Sequence, residues 1–404
     1  MEVRASPTGC GRGLLRRLLS LATSVLPAPL TFGCGLTESL DGYGGGIHAP
    51  ADVGVDQGQA GTGGDAGMVE TGGTGGQGGD ASSDAPIDVH DDVPSDVADS
   101  GPPPICASST TLEELVLCIG IYMARSESEG FVVPTAAQRA DWRSVVTRML
   151  QGSCDFLVPP SLVPAMHLRS FVDSGNSKTY CVLMEVEDAQ PDGAVDRGWG
   201  TVVVDPNSAR ELCQAAPHPL ADIDTEVQAI GIFKGTGSRI CVLAGTHRDA
   251  NAASSTCQSS SNVSDVTHNT STMFHATTEA LRTFYGSTPW VQIQWHGMAA
   301  SSCASEVFIT HGSSRAPNSS DSIVTLADNM RTAHSSWKID LAGSTQCDRT
   351  GATKVQARLL NGVPEGSVCT TSASTYTGKF ISIEQAPGFR DAADWVAAIH
   401  ATWP

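Results

Sequence analysis

Between residues 35 and 104 the chain carries 18 of its 42 glycines and 13 acidic residues, with no Lys or Arg and one aromatic, Tyr43. Such a tract cannot bury enough apolar surface to offset the entropy of ordering its backbone, so it reads as a disordered linker. It decides how much of the 404-residue chain can fold. What remains beyond it, residues 105–404, is enough for one large domain. Charge follows the same division. Of the formal −19, the tract takes −13, residues 1–34 carry +3, and residues 105–404 keep −9. A mildly acidic domain without long apolar runs excludes a basic nucleic-acid binder and a polytopic membrane protein.

Residues 1–34 read as a signal segment. Arg12, Arg16 and Arg17 precede a short apolar stretch, Leu18 to Leu26, which ends at Pro27 and Pro29, too short to span a bilayer. Thr31-Phe32-Gly33-Cys34-Gly35 resembles a bacterial lipoprotein signal, in which a small residue precedes a Cys whose thiol takes a lipid; Thr31 stands where Leu is usual. This implies an exported protein, at the outer membrane or cell surface through a lipid on Cys34, or secreted after simple cleavage. The Arg16-Arg17 pair is compatible with twin-arginine export, but that route carries proteins folded in the reducing cytoplasm, and the cysteines argue against it.

Apart from Cys10 and Cys34, ten cysteines lie between residues 106 and 369. In an exported chain an even number reads as up to five disulfides. The expected pairs are Cys106–Cys118, Cys257–Cys303 and Cys347–Cys369, with Cys241 alternatively a buried thiol. No CxxC pair exists, so a cysteine metal cluster is not expected. The Asn-X-Ser/Thr sequons at Asn262, Asn269 and Asn318 lie in Ser-rich loops and carry no assignment.

Within residues 105–404 the first signals are helical. Thr111-Leu112-Glu113-Glu114 is a capping box ahead of Leu115, Val116, Ile119 and Met123, and Pro134-Thr135 opens a second helix that Gly152 stops. From about residue 155 short apolar runs appear: Tyr180–Met184, Thr201–Val204, Ile240–Ala244, Trp290–Gln294, Val307–Thr310 and Phe380–Ile383. Helix-like segments at 222–234, 271–284, 321–333 and 391–401 lie between or after them. The alternation predicts a single α/β domain with a mixed, largely parallel central sheet flanked by helices. Residues 105–195 are expected to form a helical and strand extension, and 196–404 the core.

In open α/β sheets, sites form at the carboxyl ends of strands. Four of the eleven histidines stand just past a predicted strand: His218, His247, His296 and His311. Glu384 follows the run Phe380–Ile383. Several other chemistries lack their residues in the foldable part. No GxSxG elbow, HExxH, P-loop or GxGxxG occurs there, and oxidised cysteines do not serve as thiolate nucleophiles. The His/carboxylate set suits one zinc ion, which takes about three protein ligands and keeps an open position for water.

The order Pro217-His218 with acids behind it, His247-Arg248-Asp249-Ala250-Asn251, Gln294-Trp295-His296-Gly297 and Ile383-Glu384-Gln385 resembles the zinc-carboxypeptidase-like superfamily over about residues 200–390. The N-formylglutamate amidohydrolase and poly-γ-glutamate hydrolase types are the most similar branches. The resemblance implies one Zn2+ held by His218, His296 and a carboxylate. Carboxypeptidases use H-x-x-E, but Ala221 stands there, so Asp222 is the expected ligand, with Asp224 and His247 as alternates. It also implies Glu384 as general base and Arg248 with Asn251 as grips on a substrate carboxylate, although the family places its Arg after the Asn. His268 is a further candidate for orienting a substrate oxygen. Each residue also has a plainer reading: Asp222 and Asp224 as helix caps, Glu384 paired with Arg390, Arg248 with Asp249 or Asp265, and Asn269 capping the helix after His268.

These expectations add up to an exported zinc hydrolase that cleaves an amide beside a carboxylate. Its substrate would be a peptide, a polyglutamyl chain or an N-acyl amino acid, not a nucleic acid. The alternative is a surface-anchored, non-catalytic binding module on the same fold.

Overall fold

The computed structural model describes residues 105–186, 193–343, 347 and 349–404. The signal segment, Cys34 and the acidic tract lie outside the described residues. Among the described residues, nine strands form one sheet in the order β1-β2-β3-β5-β4-β6-β9-β7-β8. In chain order these are β1 (Met166–Val172), β2 (Thr179–Glu185), β3 (Thr201–Val204), β4 (Arg210–Ala216), β5 (Ser238–Leu243), β6 (Val291–Gly297), β7 (Val307–Thr310), β8 (Ile339–Leu341) and β9 (Phe380–Gln385). The centre, β5-β4-β6-β9, is parallel. β1, β2 and β3 join it antiparallel on one side, and β7 does so on the other. The sheet is therefore mixed, with its parallel part in the middle.

β3 and β5 are apolar on both faces because helices cover both. Leu243, Cys241 and Val203 pack into one core layer with Leu115, Phe233 and Trp395. Their neighbours Val242, Ile240, Val202 and Val204 enter the opposite layer with Trp142, Phe274 and Leu281. The first layer takes helices α1 (Leu112–Tyr122), α3 (Thr225–Thr236), α5 (Ser322–Ala333) and α7 (Ala392–Thr402). The second takes α2 (Ala136–Leu150), α4 (Met273–Tyr285) and α6 (Val355–Leu360). Both expected helix starts are capping boxes, Thr111 with Glu114 and Thr135 with Gln138.

Four elements escape the apolar-run reading: β1, β4, β8 and α6. β4 matters most, because it is central and leads directly to His218, whereas β3 lies across the sheet. Its sequence, Arg210-Glu211-Leu212-Cys213-Gln214-Ala215-Ala216, looks polar. Gln214 is nevertheless buried, accepting from Trp295 Nε1 at 2.9 Å and donating to Ser238 Oγ at 3.0 Å.

Cys106–Cys118 forms as expected, but the other two expected pairs are exchanged: the bonds are Cys257–Cys369 and Cys303–Cys347, and Cys154–Cys181 is a fourth. The Cα atoms of the exchanged pairs stand 4.9 and 5.2 Å apart, proximity that sequence spacing does not reveal. Cys213 and Cys241 remain free and buried. Gln214, not Cys213, pairs with Cys241 across β4 and β5, so the two thiols enter opposite core layers. Burial pushes both thiols up. No helix among the described residues is long and apolar enough to cross a membrane.

Candidate metal centre

β4 delivers His218 at the carboxyl edge of the parallel centre. The chain then closes a tight turn: Asp222 N–H donates to the His218 carbonyl at 2.8 Å, with Leu220 at φ 68° inside it. This five-residue turn brings the two side chains together. Asp222 Oδ2 lies 3.2 Å from His218 Nδ1 and 3.3 Å from His296 Nδ1.

His296 comes from β6 itself, which runs through Gly297 rather than stopping at Gln294. Trp295 faces the core against Trp395, so alternation sends His296 to the other side. Glu384 lies beside His296 in the parallel β6–β9 register. Gly297 leaves room for the Arg390 guanidinium, since a Cβ there would come within 2.5 Å of Nη2 and the side chain would have to shift. Arg390 donates to the carbonyls of Ile223 and Gln385 at 2.6 and 3.0 Å, fastening the Asp222 turn to the end of β9.

One donor atom each from His218, Asp222 and His296 lie within 4.8 Å of one another, and all three residues are buried. The remaining ring nitrogens are also held. His218 Nε2 is 3.0 Å from Asp265 Oδ1, and His296 Nε2 is 3.3 Å from Gln294 Oε1. His218 has a carboxylate oxygen at each ring nitrogen, so a neutral ring, with one proton to give, leaves one lone pair turned toward a carboxylate. A proton or a metal ion at His218 relieves that opposition, and the three converging donor atoms could hold a metal ion. The donor set fits zinc, whose histidine ligands ordinarily have their second nitrogen held by a carboxylate or carbonyl oxygen.

In the metal-free chain a proton performs that role. Burial alone would depress His218, but Asp265 and Asp222 outweigh it and raise the imidazole to about 9. His296 goes the other way, to about 4, through burial and the nearby charge of Lys354. Burial opposes ionisation of Asp222, yet hydrogen bonds from both histidines hold it well below the usual carboxylate range. Asp265 is likewise held low against its burial by His218.

The three ligand candidates line a cleft of about 200 Å³ together with Arg248, Asp265, Thr267, His268, Gly297, Arg349, Gly351, Thr353, Lys354 and Glu384. Glu384 is paired with Lys354 Nζ at 2.8 Å rather than with Arg390, and that ammonium keeps its carboxyl low in spite of burial. Arg248 is 43% exposed; its nearest carboxylates, Asp249 and Asp222, are 3.8 and 3.9 Å away, so the guanidinium is not committed to a tight pair. His268 reaches the cleft and holds Gln258 Oε1 at 2.6 Å through Nδ1. Asn269 does not cap α4, which Thr272 caps instead.

Four residues named from the sequence do not join this cluster. Both polar atoms of the Asn251 side chain bond the backbone of Phe131, Oδ1 accepting at 2.9 Å and Nδ2 donating at 3.1 Å, so it ties two loops together rather than facing substrate. His247 Nδ1 accepts the Asp249 N–H at 3.0 Å. Asp224 is exposed at the start of α3 and makes no cap bond. His311 follows β7, which runs antiparallel to β9, and therefore leaves the sheet at the opposite edge. It stacks on Tyr376 there.

Lys354, Arg349 and Thr267 were not singled out from the sequence, and Asp265 only as a partner for Arg248. Lys354 precedes a six-residue helix whose apolar run is too short to announce itself. Asp265 carries a local signal, Asp-x-Thr, in which Thr267 donates to it through both N–H and Oγ1 at 3.0 and 2.7 Å.

No family model and no curated protein matches this chain in sequence. Solved structures similar to it include a Shewanella denitrificans protein provisionally assigned as a carboxypeptidase A. It is 11% identical, with 67% of this chain and 69% of that chain covered and a TM-score of 0.26. A metallo-carboxypeptidase from Burkholderia cenocepacia is 10% identical, with 67% of each chain covered and a TM-score of 0.25. Likenesses of this size carry no argument about activity, which rests on the residues themselves.

Proposed function

We propose that the chain is a zinc-dependent hydrolase of amide bonds beside a carboxylate, acting on a peptide, a γ-glutamyl chain or an N-acyl amino acid. The observation that carries this reading is the convergence of His218 Nδ1, Asp222 Oδ2 and His296 Nδ1, with Glu384 in the same cleft. Zinc bound there supplies a water acidified to a pKa near ~7 and polarises the substrate carbonyl. The chain's own residues do the rest. Glu384, held ionised beside Lys354, takes the proton from water and returns it to the leaving nitrogen. Arg248 and Arg349, on separate loops at the cleft, receive the substrate carboxylate. His268 orients the substrate oxygen.

The four disulfides fit work in an oxidising compartment outside the cytoplasm, as the signal segment implies. A non-catalytic module drew its support from the missing H-x-x-E spacing, and the α-turn at His218 removes that objection to a metal site.

Zinc analysis of the purified full chain, followed by turnover assays on acyl-amino acids and γ-glutamyl peptides, tests the proposal. Stoichiometric zinc that His218→Ala and His296→Ala abolish, with turnover that Glu384→Gln abolishes, is the expected result. Zinc well below stoichiometric after metal-replete refolding overturns the metal site. Full zinc without turnover on the whole panel makes the chain a binding module.

A further inference from the structure

We infer that Lys354 is a further catalytic residue of this reaction, passing its hydrogen bond from the Glu384 carboxylate to the carbonyl oxygen of the substrate as negative charge moves between them. The inference rests on the hydrolase reading above. Lys354 stands immediately before α6 and is 7% exposed, so its ammonium is largely withdrawn from bulk water. Nζ donates to Ser382 Oγ at 2.6 Å and to Glu384 Oε1 at 2.8 Å. Both acceptors lie on β9, two residues apart and thus on one face of the strand. An ammonium has three protons. These bonds use two, and Lys354 lines the cleft together with His218, Asp222 and His296.

Stability does not account for a buried charge pair in this place. Such a pair is often no better than an apolar substitute, because both ions lose their hydration. In a cleft wall the same pair has a chemical use. A preorganised cation beside the base is already desolvated when charge develops, and it needs little reorganisation. Arg248 suits the part less well, because it is 43% exposed and keeps its hydration.

The step balances as follows. Glu384 removes a proton from water as the water oxygen bonds to the carbonyl carbon, and the carbonyl π pair moves to its oxygen. The carboxyl is now neutral and holds Lys354 weakly, while the substrate oxygen is charged and holds it strongly. On collapse the C=O bond re-forms, the C–N bond breaks, and the Glu384 proton passes to the leaving nitrogen. Lys354 keeps its three protons throughout and returns to the carboxylate.

The test compares the zinc-loaded full-length parent with Lys354→Met and Lys354→Arg, using a substrate the parent turns over and a phosphinate analogue of that substrate. Lys354→Met is expected to lose about 10²–10³-fold in kcat. Its zinc content and KM stay near those of the parent, and its affinity for the phosphinate falls in step with kcat/KM. Lys354→Arg recovers part of both losses. If a lone buried carboxylate unfolds Lys354→Met, the Lys354→Met/Glu384→Gln double variant is compared with Glu384→Gln alone, and phosphinate affinity reads the same contribution without turnover. Lys354 variants that keep kcat and phosphinate affinity overturn the inference while the hydrolase reading stands. So does a loss of kcat accompanied by loss of zinc, which marks a structural role. A zinc-loaded parent that turns over no member of the panel and binds no phosphinate analogue of those members overturns the hydrolase reading and the inference together.

Discussion

Two sets of buried carboxylates lie along this sheet, and they are satisfied in different ways. Asp173, at the end of β1, is fully buried and accepts from the N–H groups of Leu112 and Gly175 and from Lys234 Nζ, all within 2.9 Å. Glu185, at the end of β2, accepts from the N–H groups of Arg197 and Trp199 at 2.6 and 2.8 Å. Those partners are donors at any pH, and the bonds hold loops onto the sheet. Asp222 and Asp265 instead face imidazole nitrogens, whose character as donor or acceptor depends on a proton. The first set is complete as it stands. The second is complete only with an added proton or cation, which is how a binding site differs from a well-packed polar core.

Substitution separates the two sets most sharply at Asp222. Zinc at about a thousand times its dissociation constant stabilises a chain by about 4 kcal/mol. Asp222→Asn is expected to lose that metal-dependent gain in thermal unfolding, and all turnover with it. Asp173→Asn loses stability with and without zinc and keeps the gain. An unchanged zinc gain in Asp222→Asn would erase the distinction. Glu384→Gln comes next, with kcat lower by about 10²–10⁴-fold and zinc stoichiometry unaltered, as measured by metal analysis and steady-state kinetics.

Within the first set, Glu185 has its own signature in pH. Burial raises Glu185 to about 7, outweighing the backbone N–H groups that favour its charge. A folded value above the unfolded one means that the fold prefers the protonated acid. Its contribution is therefore fully present below about 4.5 and is lost as pH rises through about 7, by roughly 3 kcal/mol in all. Denaturant unfolding of the metal-free chain between pH 4.5 and 8 should show the decline. Glu185→Gln should flatten it, because an amide does not titrate there. A decline that persists in Glu185→Gln would assign it to other groups.

How much of this could be read from residues alone depends on which physical signal each feature carries. The interior strands β5 and β9 announce themselves as apolar runs, and the capping boxes at Thr111 and Thr135 are local patterns. His296 and Glu384 are legible because they end the apolar runs of β6 and β9, whereas His218 follows β4 and not the run of β3, and Asp222 is named only through the resemblance. β4 could not be read, because its Gln214 is satisfied only by Trp295 and Ser238, far away in sequence. The exchanged disulfides share that cause. So does Asn251, whose neighbourhood reads as a substrate-binding motif until Phe131 is seen beside it. Lys354 is the extreme case: nothing near it in sequence distinguishes it, and its meaning comes from β9 alone.

The finest division falls inside the incomplete set, between Asp222, which faces the donor atoms, and Asp265, which stands behind His218. Asp265→Asn keeps an acceptor for His218 Nε2 and for Thr267, so the ring should stay in place and stability should change little. What it removes is charge. In the parent, His218 is raised to about 9, so at pH 7 zinc must displace a proton, and affinity climbs as pH approaches 9. Without the Asp265 charge His218 titrates lower, and that competition largely disappears at pH 7. The imidazole also becomes a weaker ligand, by about 10–100-fold in zinc affinity. The two effects oppose each other at pH 7 and only the second remains at pH 9. Calorimetric zinc titrations should therefore show Asp265→Asn clearly weaker than the parent at pH 9 and closer to it at pH 7. They should also show fewer protons released on binding at pH 7. A gap of constant size across that range, with equal proton release, would mean that Asp265 only orients the ring.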